Sequence, residues 1–403
     1  MIRTLMKHEL TIMGKSKKNM LFIMSLAVLL LGYCFMILPN KQTTESFNPE
    51  EVREDLEELF VLQRDSEKRG ATGFSPMSGL AVYAANEDYY KVSSKMITAF
   101  ESQNYLRFLY LRLHHIEGGM DNFLDIDASL FSRSPFPGKD RQHLYFQTLL
   151  RYQGYLKEDL PISYALIEQK TALQTVENLF LSSAVYLIIF CAIYFSSDVL
   201  VRDRRNQSIL QGLPLSWYRL LNFKTLVTFL YTFIILFVLM VLGMIILSIQ
   251  NGFGFLNIPV PVMTFAERDF SMNDYDVISL TKFMAMSMSL IPILIYLFIR
   301  LNLVFSLLFR NEWIVLMVSS LFLFSERLYF ARDFRELFGI DISYFPQTYF
   351  EFGKVVTGEK NYLVNLETIT YVKGITVLVA TVFVIECILF IVSRIVNKRR
   401  FYQ

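Results

Sequence analysis

Few residues of this sequence have the types and spacing that catalysis, nucleotide binding or metal binding requires. Gly14-Lys15-Ser16 matches the end of a phosphate-binding loop, but Glu9 stands where the loop's first glycine belongs and no predicted strand precedes it. The histidines lack the ligand spacing of a zinc site and lie outside the apolar runs. They are His8, His114, His115 and His143. We therefore predict no catalytic, cofactor-binding or metal-binding residue on this chain. If ATP drives it, a separate chain binds the nucleotide.

The composition is that of a polytopic membrane protein. Of 403 residues, 53% are hydrophobic, 15% are aromatic and only 19% are charged, a balance that is rare in soluble proteins of this length. The net charge of +2 gives no basic excess for nucleic-acid binding. Cys34, Cys191 and Cys387 each lie inside an apolar run, so we expect small residues that face the core or the lipid.

The stretch 198–222 lies between two long apolar runs. Its basic residues place it on the cytoplasmic side of the membrane by the positive-inside rule. It combines a charged cluster, an apolar stripe at helical spacing and a proline that breaks the helix. The cluster is Asp203, Arg204 and Arg205, the stripe is Ile209, Leu210, Leu213 and Trp217, and the proline is Pro214. Such a loop suits docking on a soluble partner; an ordinary basic loop between two helices is the alternative.

The amino-acid sequence of this loop resembles that of the cytoplasmic loop of type-2 ATP-binding-cassette permeases. In that family a charged cluster is followed by a short helix, Leu-Pro-x-Ser, and a lysine at the foot of the next helix. Asp203-Arg204-Arg205, Leu213-Pro214-Leu215-Ser216 and Lys224 match these parts in order. Gln207-Ser208 departs from the frequent Gly-Thr, and Trp217 stands where a basic residue is common.

The resemblance implies the permease subunit of an ATP-driven exporter. It implies a second permease chain, identical or different, and two copies of an ATPase subunit that hold the ATP and Mg²⁺. The ATPase would dock on residues 203 to 224: Asp203, Arg204, Arg205, Ile209, Leu210, Leu213, Pro214, Ser216, Trp217 and Lys224. The apolar interior suits a hydrophobic or amphipathic substrate, with a peptide or peptide antibiotic the first expectation and a lipid or drug the next.

Two other functions stay open. An extracellular sensor or immunity protein would capture a peptide with the large insert, and a requirement for ATP hydrolysis separates it from an exporter. A membrane-embedded enzyme is less favoured, because the spans hold neither histidines nor paired acids.

The N-terminal residues 1–20 are predicted to form an amphipathic helix along the inner membrane surface. Its apolar face includes Leu5 and Met13, and Glu9 falls within the same face. An unpaired carboxylate there would be costly, so we expect Glu9 to pair with an arginine of the 202–205 cluster or with a docked partner.

The predicted fold is an all-α polytopic membrane protein with six spans and both termini in the cytoplasm of a bacterial cell. The spans are residues 21–38, 179–197, 223–249, 283–305, 313–327 and 373–394. Spans two and three are joined by a cytoplasmic loop at 198–222, spans three and four by an extracellular loop at 250–282, and spans four and five by a cytoplasmic turn at 306–312. Residues 395–403 form a cytoplasmic tail. Residues 39–178 are predicted to form an extracellular, mainly α-helical domain.

The stretch 328–372 is rich in aromatic residues and broken at Gly339 and Pro346. In the family that the loop resembles, a broken re-entrant helical pair at this place caps the transport path. Together with Glu326 and Arg327 at the end of the preceding span, Pro346 would form an extracellular gate. An interfacial belt of aromatic residues is the alternative.

Overall fold

The computed structural model describes residues 2–74, 81–118, 131–205, 216–264, 270–396 and 401. The protein is 75% helical with almost no sheet, as expected of an all-α membrane protein. Among the described residues, five helices are long and apolar enough to cross a membrane. They are Lys17–Asn40, Val185–Arg204, Trp217–Asn251, Leu280–Leu308 and Tyr371–Ile395. They coincide with the predicted spans one, two, three, four and six.

The N-terminal helix and the first long helix meet at a sharp turn. The segments are α1 (Ile2–Lys15), α2 (Lys17–Gly32), a π-helical turn (Tyr33–Ile37) and α3 (Leu38–Asn40). Ser16 has extended backbone angles and separates α1 from α2. The apolar face of α1 packs on α2 and on the next two long helices through the buried Met13 and the partly buried Leu5. The amphipathic pattern therefore buries one face of α1 against the bundle.

The insert between the first two long helices folds as a series of helices. They are α4 (Pro49–Lys68), α5 (Val82–Glu101), α6 (Tyr105–Gly118), α7 (Pro137–Lys157), α8 (Tyr164–Ile167) and α9 (Ala172–Leu181). The chain breaks after α7 and again at Ser182, which is extended. The second long helix consequently begins at Val185 and not at the predicted residue 179.

The second and third long helices follow the insert. The second is α10 (Val185–Ser196) and α11 (Val199–Arg205), which are joined by a turn at Ser197 and Asp198, and the third is α12 (Trp217–Asn251). A hairpin of β1 (Pro259–Met263) and β2 (Tyr275–Ser279) comes next, with Val260 opposite Ile278. The hairpin packs on α7, and Gly154 permits the contact because a side chain there would overlap Pro259.

The fourth long helix, α13 (Leu280–Leu308), is followed by the short helices α14 (Glu312–Leu323) and α15 (Glu326–Tyr329). The 12 residues of α14 rise about 18 Å, well short of the roughly 30 Å hydrocarbon core. Asn311 caps its start by accepting a hydrogen bond from the Trp313 amide. The predicted fifth span, 313–327, is thus a shorter apolar helix, and the count of six spans stays a prediction.

The segment before the last long helix is built of short pieces. They are a hairpin of β3 (Glu336–Leu337) and β4 (Ile340–Asp341), two 3₁₀ turns (Ile342–Tyr344 and Pro346–Tyr349), α16 (Phe352–Val356) and α17 (Glu359–Val364). The helix α18 (Tyr371–Ile395) ends the described bundle. The pieces around Pro346 are turns and short helices, so a re-entrant placement of this stretch stays a prediction.

Two of the long helices form the centre of the bundle. In Val185–Arg204 and in α13, 72% of the most apolar window is buried, against 17% in each of the other three. The three peripheral helices expose apolar side chains such as Leu226, Phe237 and Phe383. Side chains of that kind suit contact with lipid, whereas the central helices have protein on most sides and accommodate polar residues.

Candidate functional site

A buried lysine lies at the end of the bundle that carries the loop 198–222, which we call the loop end. Lys224 is only 1% exposed, and its Nζ donates to Glu9 Oε1 at 2.6 Å and to Asp203 Oδ1 at 3.0 Å. Arg202 adds an ion pair of 3.2 Å to the second oxygen of Glu9. These four residues form the loop-end cluster, with two cations facing two carboxylates. Buried charges survive in protein interiors only when they are paired in this way.

Three separate elements supply the loop-end cluster. Glu9 comes from α1, Asp203 and Arg202 from α11, and Lys224 from the first turns of α12. The amphipathic pattern of α1 directs Glu9 inward together with Met13. The predicted pairing of Glu9 with an arginine of the 202–205 cluster is confirmed. Lys224, the closer partner of Glu9, is at the position that the family resemblance singles out, but its contact with Glu9 is not among the predictions.

Arg204 connects the loop end to the end of α13, one of the two central helices. Its guanidinium donates to the carbonyl oxygens of Leu307 at 3.0 Å and Phe309 at 3.1 Å, where α13 ends. The last carbonyl groups of a helix have no hydrogen-bond partner within it. A cation at this position donates hydrogen bonds to them and interacts favourably with the negative end of the helix dipole. The guanidinium also lies 4.2 Å from the ring of Phe401, which is packed at 4.9 Å from Trp217.

The other predicted docking residues are only partly within the described part of the chain. Ser216 is exposed and immediately precedes α12, and Trp217 is its first residue, half-buried. The backbone of Arg205 ends α11. Ile209, Leu210, Leu213 and Pro214 lie outside the described residues.

A second buried lysine lies at the opposite end of the bundle, beside the insert, which we call the insert end. Lys360 is also 1% exposed, and its Nζ reaches Glu326 Oε1 at 2.6 Å and Glu351 Oε2 at 2.9 Å. Arg327 and Lys354 bind the other oxygen of Glu351 at 2.9 and 3.1 Å. These five residues form the insert-end cluster. Burial alone would raise the pKa of Glu351, but Lys360 and Lys354 outweigh it and hold that pKa below its ordinary value.

The insert-end cluster contains two of the three residues predicted as a gate. Glu326 pairs with Lys360, and Arg327 pairs with Glu351. Glu326 also accepts a hydrogen bond of 3.0 Å from Tyr186 in α10. Pro346 starts a 3₁₀ turn and is half-buried; its side chain has no hydrogen-bonding group, so it contributes only shape.

An ion pair also crosses the apolar part of the bundle. Arg300 of α13 contacts Glu386 of α18 at 2.6 Å, and the hydroxyls of Tyr296 and Tyr218 donate to the same carboxylate at 2.7 and 3.1 Å. Arg300 further donates to Asn222 at 2.7 Å. Glu386 is absent from the predicted sites, although one acidic residue within an apolar run of 25 residues is itself a signal of function.

His143 of α7 belongs to a hydrogen-bonded group between the insert and the segments that pack against it. Its Nε2 lies 2.7 Å from Glu359 and its Nδ1 2.5 Å from the Tyr275 hydroxyl, and its ring stacks on Tyr362 at 3.9 Å. Among the residues that the structure describes, no group of three or more histidine, cysteine, aspartate or glutamate side chains is placed to hold a metal ion.

Comparisons of the chain with protein-family models, with curated proteins and with solved structures found no match.

Proposed function

We propose that this chain is the permease subunit of an ATP-driven exporter and that a separate ATPase docks on the loop 198–222. The observation that carries the proposal is the loop-end cluster, in which Glu9, Asp203 and Lys224 join three elements around one buried charge. A displacement of the loop must either move these elements together or separate buried charges, which is costly. The loop is therefore mechanically connected to the bundle, as coupling to an ATPase requires.

The predicted docking residues divide into two roles under this proposal. Asp203 and Lys224 are buried, so they hold the loop on the bundle and do not touch a partner. Arg204 has the same anchoring role through the end of α13. The apolar ridge supplies the contact surface for the ATPase, with polar contacts from its flanks. That surface comprises Ile209, Leu210, Leu213 and Pro214, flanked by Arg205, Ser216 and Trp217.

The mechanism is a mechanical switch of access. Two permease chains pair in the cell membrane of a bacterium, with the loop end in the cytoplasm and the insert outside. Each chain is seated on an ATPase that binds ATP and Mg²⁺, and closure of the ATPases tilts the helices. The insert-end cluster then closes the path on the outer side. The substrate is a hydrophobic or amphipathic molecule, with a peptide as the first expectation.

The docking role is tested by a substitution in the ridge. Leu213→Asp places a charge in the apolar contact and should abolish co-purification with the ATPase, while the chain stays folded and monodisperse in detergent. Leu62→Asp is the matched control, since Leu62 is an exposed leucine of the insert. Normal co-purification of the Leu213→Asp chain would contradict the docking role.

The proposal as a whole is tested by isolating the tagged chain from its native cells in mild detergent and identifying its partners by mass spectrometry. A stoichiometric ATPase with a phosphate-binding loop is the expected partner, and a second permease would reveal a heterodimer. If the chain is folded but no ATPase accompanies it, residues 198–222 are an ordinary basic loop and the exporter assignment fails.

A further inference from the structure

A cavity of about 180 Å³ lies between the insert and the segments that pack beneath it. Elements from three parts of the chain surround it: α7 and α9 of the insert, β1 of the hairpin, and the segment from α16 to α17. Its lining is partly apolar, through Leu181, Val260 and Pro261, and otherwise mostly polar. The volume is below the roughly 300–1,000 Å³ of sites for drug-sized ligands, so the cavity suits a smaller molecule.

Four charged side chains line the cavity, and two of them have their main partners elsewhere. Glu359 is bound to His143 at 2.7 Å, and Lys354 to Glu351 at 3.1 Å. The remaining two are Arg151 and Glu177. These two are the groups with bonding capacity left for a ligand.

Arg151 and Glu177 face each other without forming a hydrogen bond. Their closest atoms, Nη2 and Oε1, are 3.6 Å apart, and both side chains are close to fully buried. Oε1 of Glu177 is buried and accepts no hydrogen bond from any residue that the structure describes, although Arg151 lies beside it. Buried polar groups are almost always hydrogen-bonded, so this carboxylate oxygen is an exception that needs an explanation.

We propose that the cavity binds a small zwitterion of the amino-acid class, with its ammonium group on Glu177 and its carboxylate on Arg151. In such a molecule the two charged groups are attached to one carbon atom, which matches a guanidinium and a carboxylate lying side by side. The four lining charges sum to zero, so a ligand without net charge leaves the cavity neutral. The apolar wall of Leu181, Val260 and Pro261 favours a small apolar side chain on the ligand. The proposal does not depend on the exporter assignment.

The test is a titration of the full chain, purified in detergent, with L-alanine, by calorimetry and by the shift of its thermal unfolding. Alaninamide lacks the carboxylate, and propionate lacks the ammonium group. Each analogue should bind roughly tenfold to a hundredfold more weakly than L-alanine, because each leaves one charged wall group without its hydrogen bond. Glycine and L-leucine report how far the apolar wall contributes.

Substitutions locate the binding. Arg151→Gln and Glu177→Gln should each weaken L-alanine binding to a similar extent while the chain stays folded. Arg53→Gln and Glu101→Gln should not, because that pair lies on the exposed surface of the same insert. The proposal is overturned if the folded wild-type chain binds none of the three amino acids. It is also overturned if propionate binds as well as L-alanine, or if the cavity variants bind like the wild type.

Discussion

Among the residues that the structure describes, two lysines are almost completely buried, one at each end of the bundle, and they are held differently. Lys224 and Lys360 are both 1% exposed and each contacts two carboxylates. One partner of Lys224, Glu9, is 215 residues away in the sequence, and the other, Asp203, is 21 residues away. Lys360 has one partner, Glu351, only nine residues away in the same segment. The loop-end cluster therefore depends on tertiary packing, whereas much of the insert-end cluster is local.

The two clusters also differ in charge and exposure. The loop-end cluster has equal numbers of cations and carboxylates. The insert-end cluster has three cations for two carboxylates, and Arg327 is 48% exposed. Glu351 would keep two cations if Lys360 moved away, but Glu9 would keep only Arg202 if Lys224 did. Breaking one ion pair should therefore cost more free energy in the loop-end cluster than in the insert-end cluster. A lower cost at the insert end agrees with the proposed gate.

The largest effect should follow from removing the lysine at the loop end. Lys224→Met leaves the carboxylates of Glu9 and Asp203 buried with only Arg202 beside them. Removing one member of a buried ion pair costs about 3–5 kcal/mol, and we expect a loss of that size in the free energy of unfolding in detergent. Chemical denaturation of the purified chain measures it.

Lys7→Met is the matched control for Lys224→Met, because Lys7 is an exposed lysine on the same helix as Glu9 and should change stability by less than about 0.5 kcal/mol. Glu9→Gln in the Lys224→Met background removes one of the orphaned charges and should restore part of the loss. A Lys224→Met chain as stable as the Lys7→Met chain would show that the cluster does not hold the loop end together.

The effect at the insert end should be smaller. In Lys360→Met, Glu351 keeps Arg327 and Lys354, and Glu326 keeps the hydroxyl of Tyr186. We expect a loss of about 1–3 kcal/mol, as for one buried group left partly unsatisfied. The same denaturation experiment measures it.

Lys282→Met is the control for Lys360→Met, since Lys282 is exposed at the start of α13, near the insert. A loss for Lys360→Met that equals or exceeds the loss for Lys224→Met would contradict the contrast between a rigid loop end and a more easily opened insert end.

Most of the helical framework could be predicted from the sequence because apolar runs and helical periodicity depend on local residue patterns. The first, fourth and sixth predicted spans lie within about four residues of the observed helices, whereas the second helix begins and ends later than predicted and the third begins six residues earlier. The break at Ser182 and the packing of β1 on α7 through Gly154 could not be predicted. Both depend on which distant segments meet, and no local pattern specifies that.

The same limit explains which site residues could be predicted. Glu9 is conspicuous because a carboxylate interrupts an apolar face, so its pairing with the arginine cluster could be inferred. Lys360 and Glu351 have no such local signal, since each is one charged residue in a mixed segment, whereas Arg300 interrupts an apolar span. Glu386 does have a signal, as the one acidic residue of an apolar span, but its partners come from other helices. Which side chains a charged residue contacts depends on the tertiary structure, and the local sequence does not specify it.

The smallest and most specific effects should appear in the pH dependence of two glutamates near the insert end. The pKa of Glu351 is held below its ordinary value of 4.5 by its cations, which outweigh burial. Its contribution to stability is therefore present above about pH 4.5 and is lost as the pH falls through the lower, folded-state pKa. Glu177 behaves oppositely: burial raises its pKa above 4.5 despite Arg151, so its ionisation costs stability as the pH rises.

Replacing each glutamate by glutamine, which resembles the protonated acid, should expose this opposition. Glu351→Gln should be less stable than the wild type at pH 7, with the difference shrinking on acidification below about pH 4.5. Glu177→Gln should match the wild type near pH 4 and gain relative stability as the pH rises. Each unit of pKa difference corresponds to about 1.4 kcal/mol, so denaturation series from pH 3.5 to 7.5 resolve the two signs. If both variants gain stability relative to the wild type as the pH rises, burial outweighs the cations at both carboxylates, and the insert end holds Glu351 no more firmly than the cavity holds Glu177.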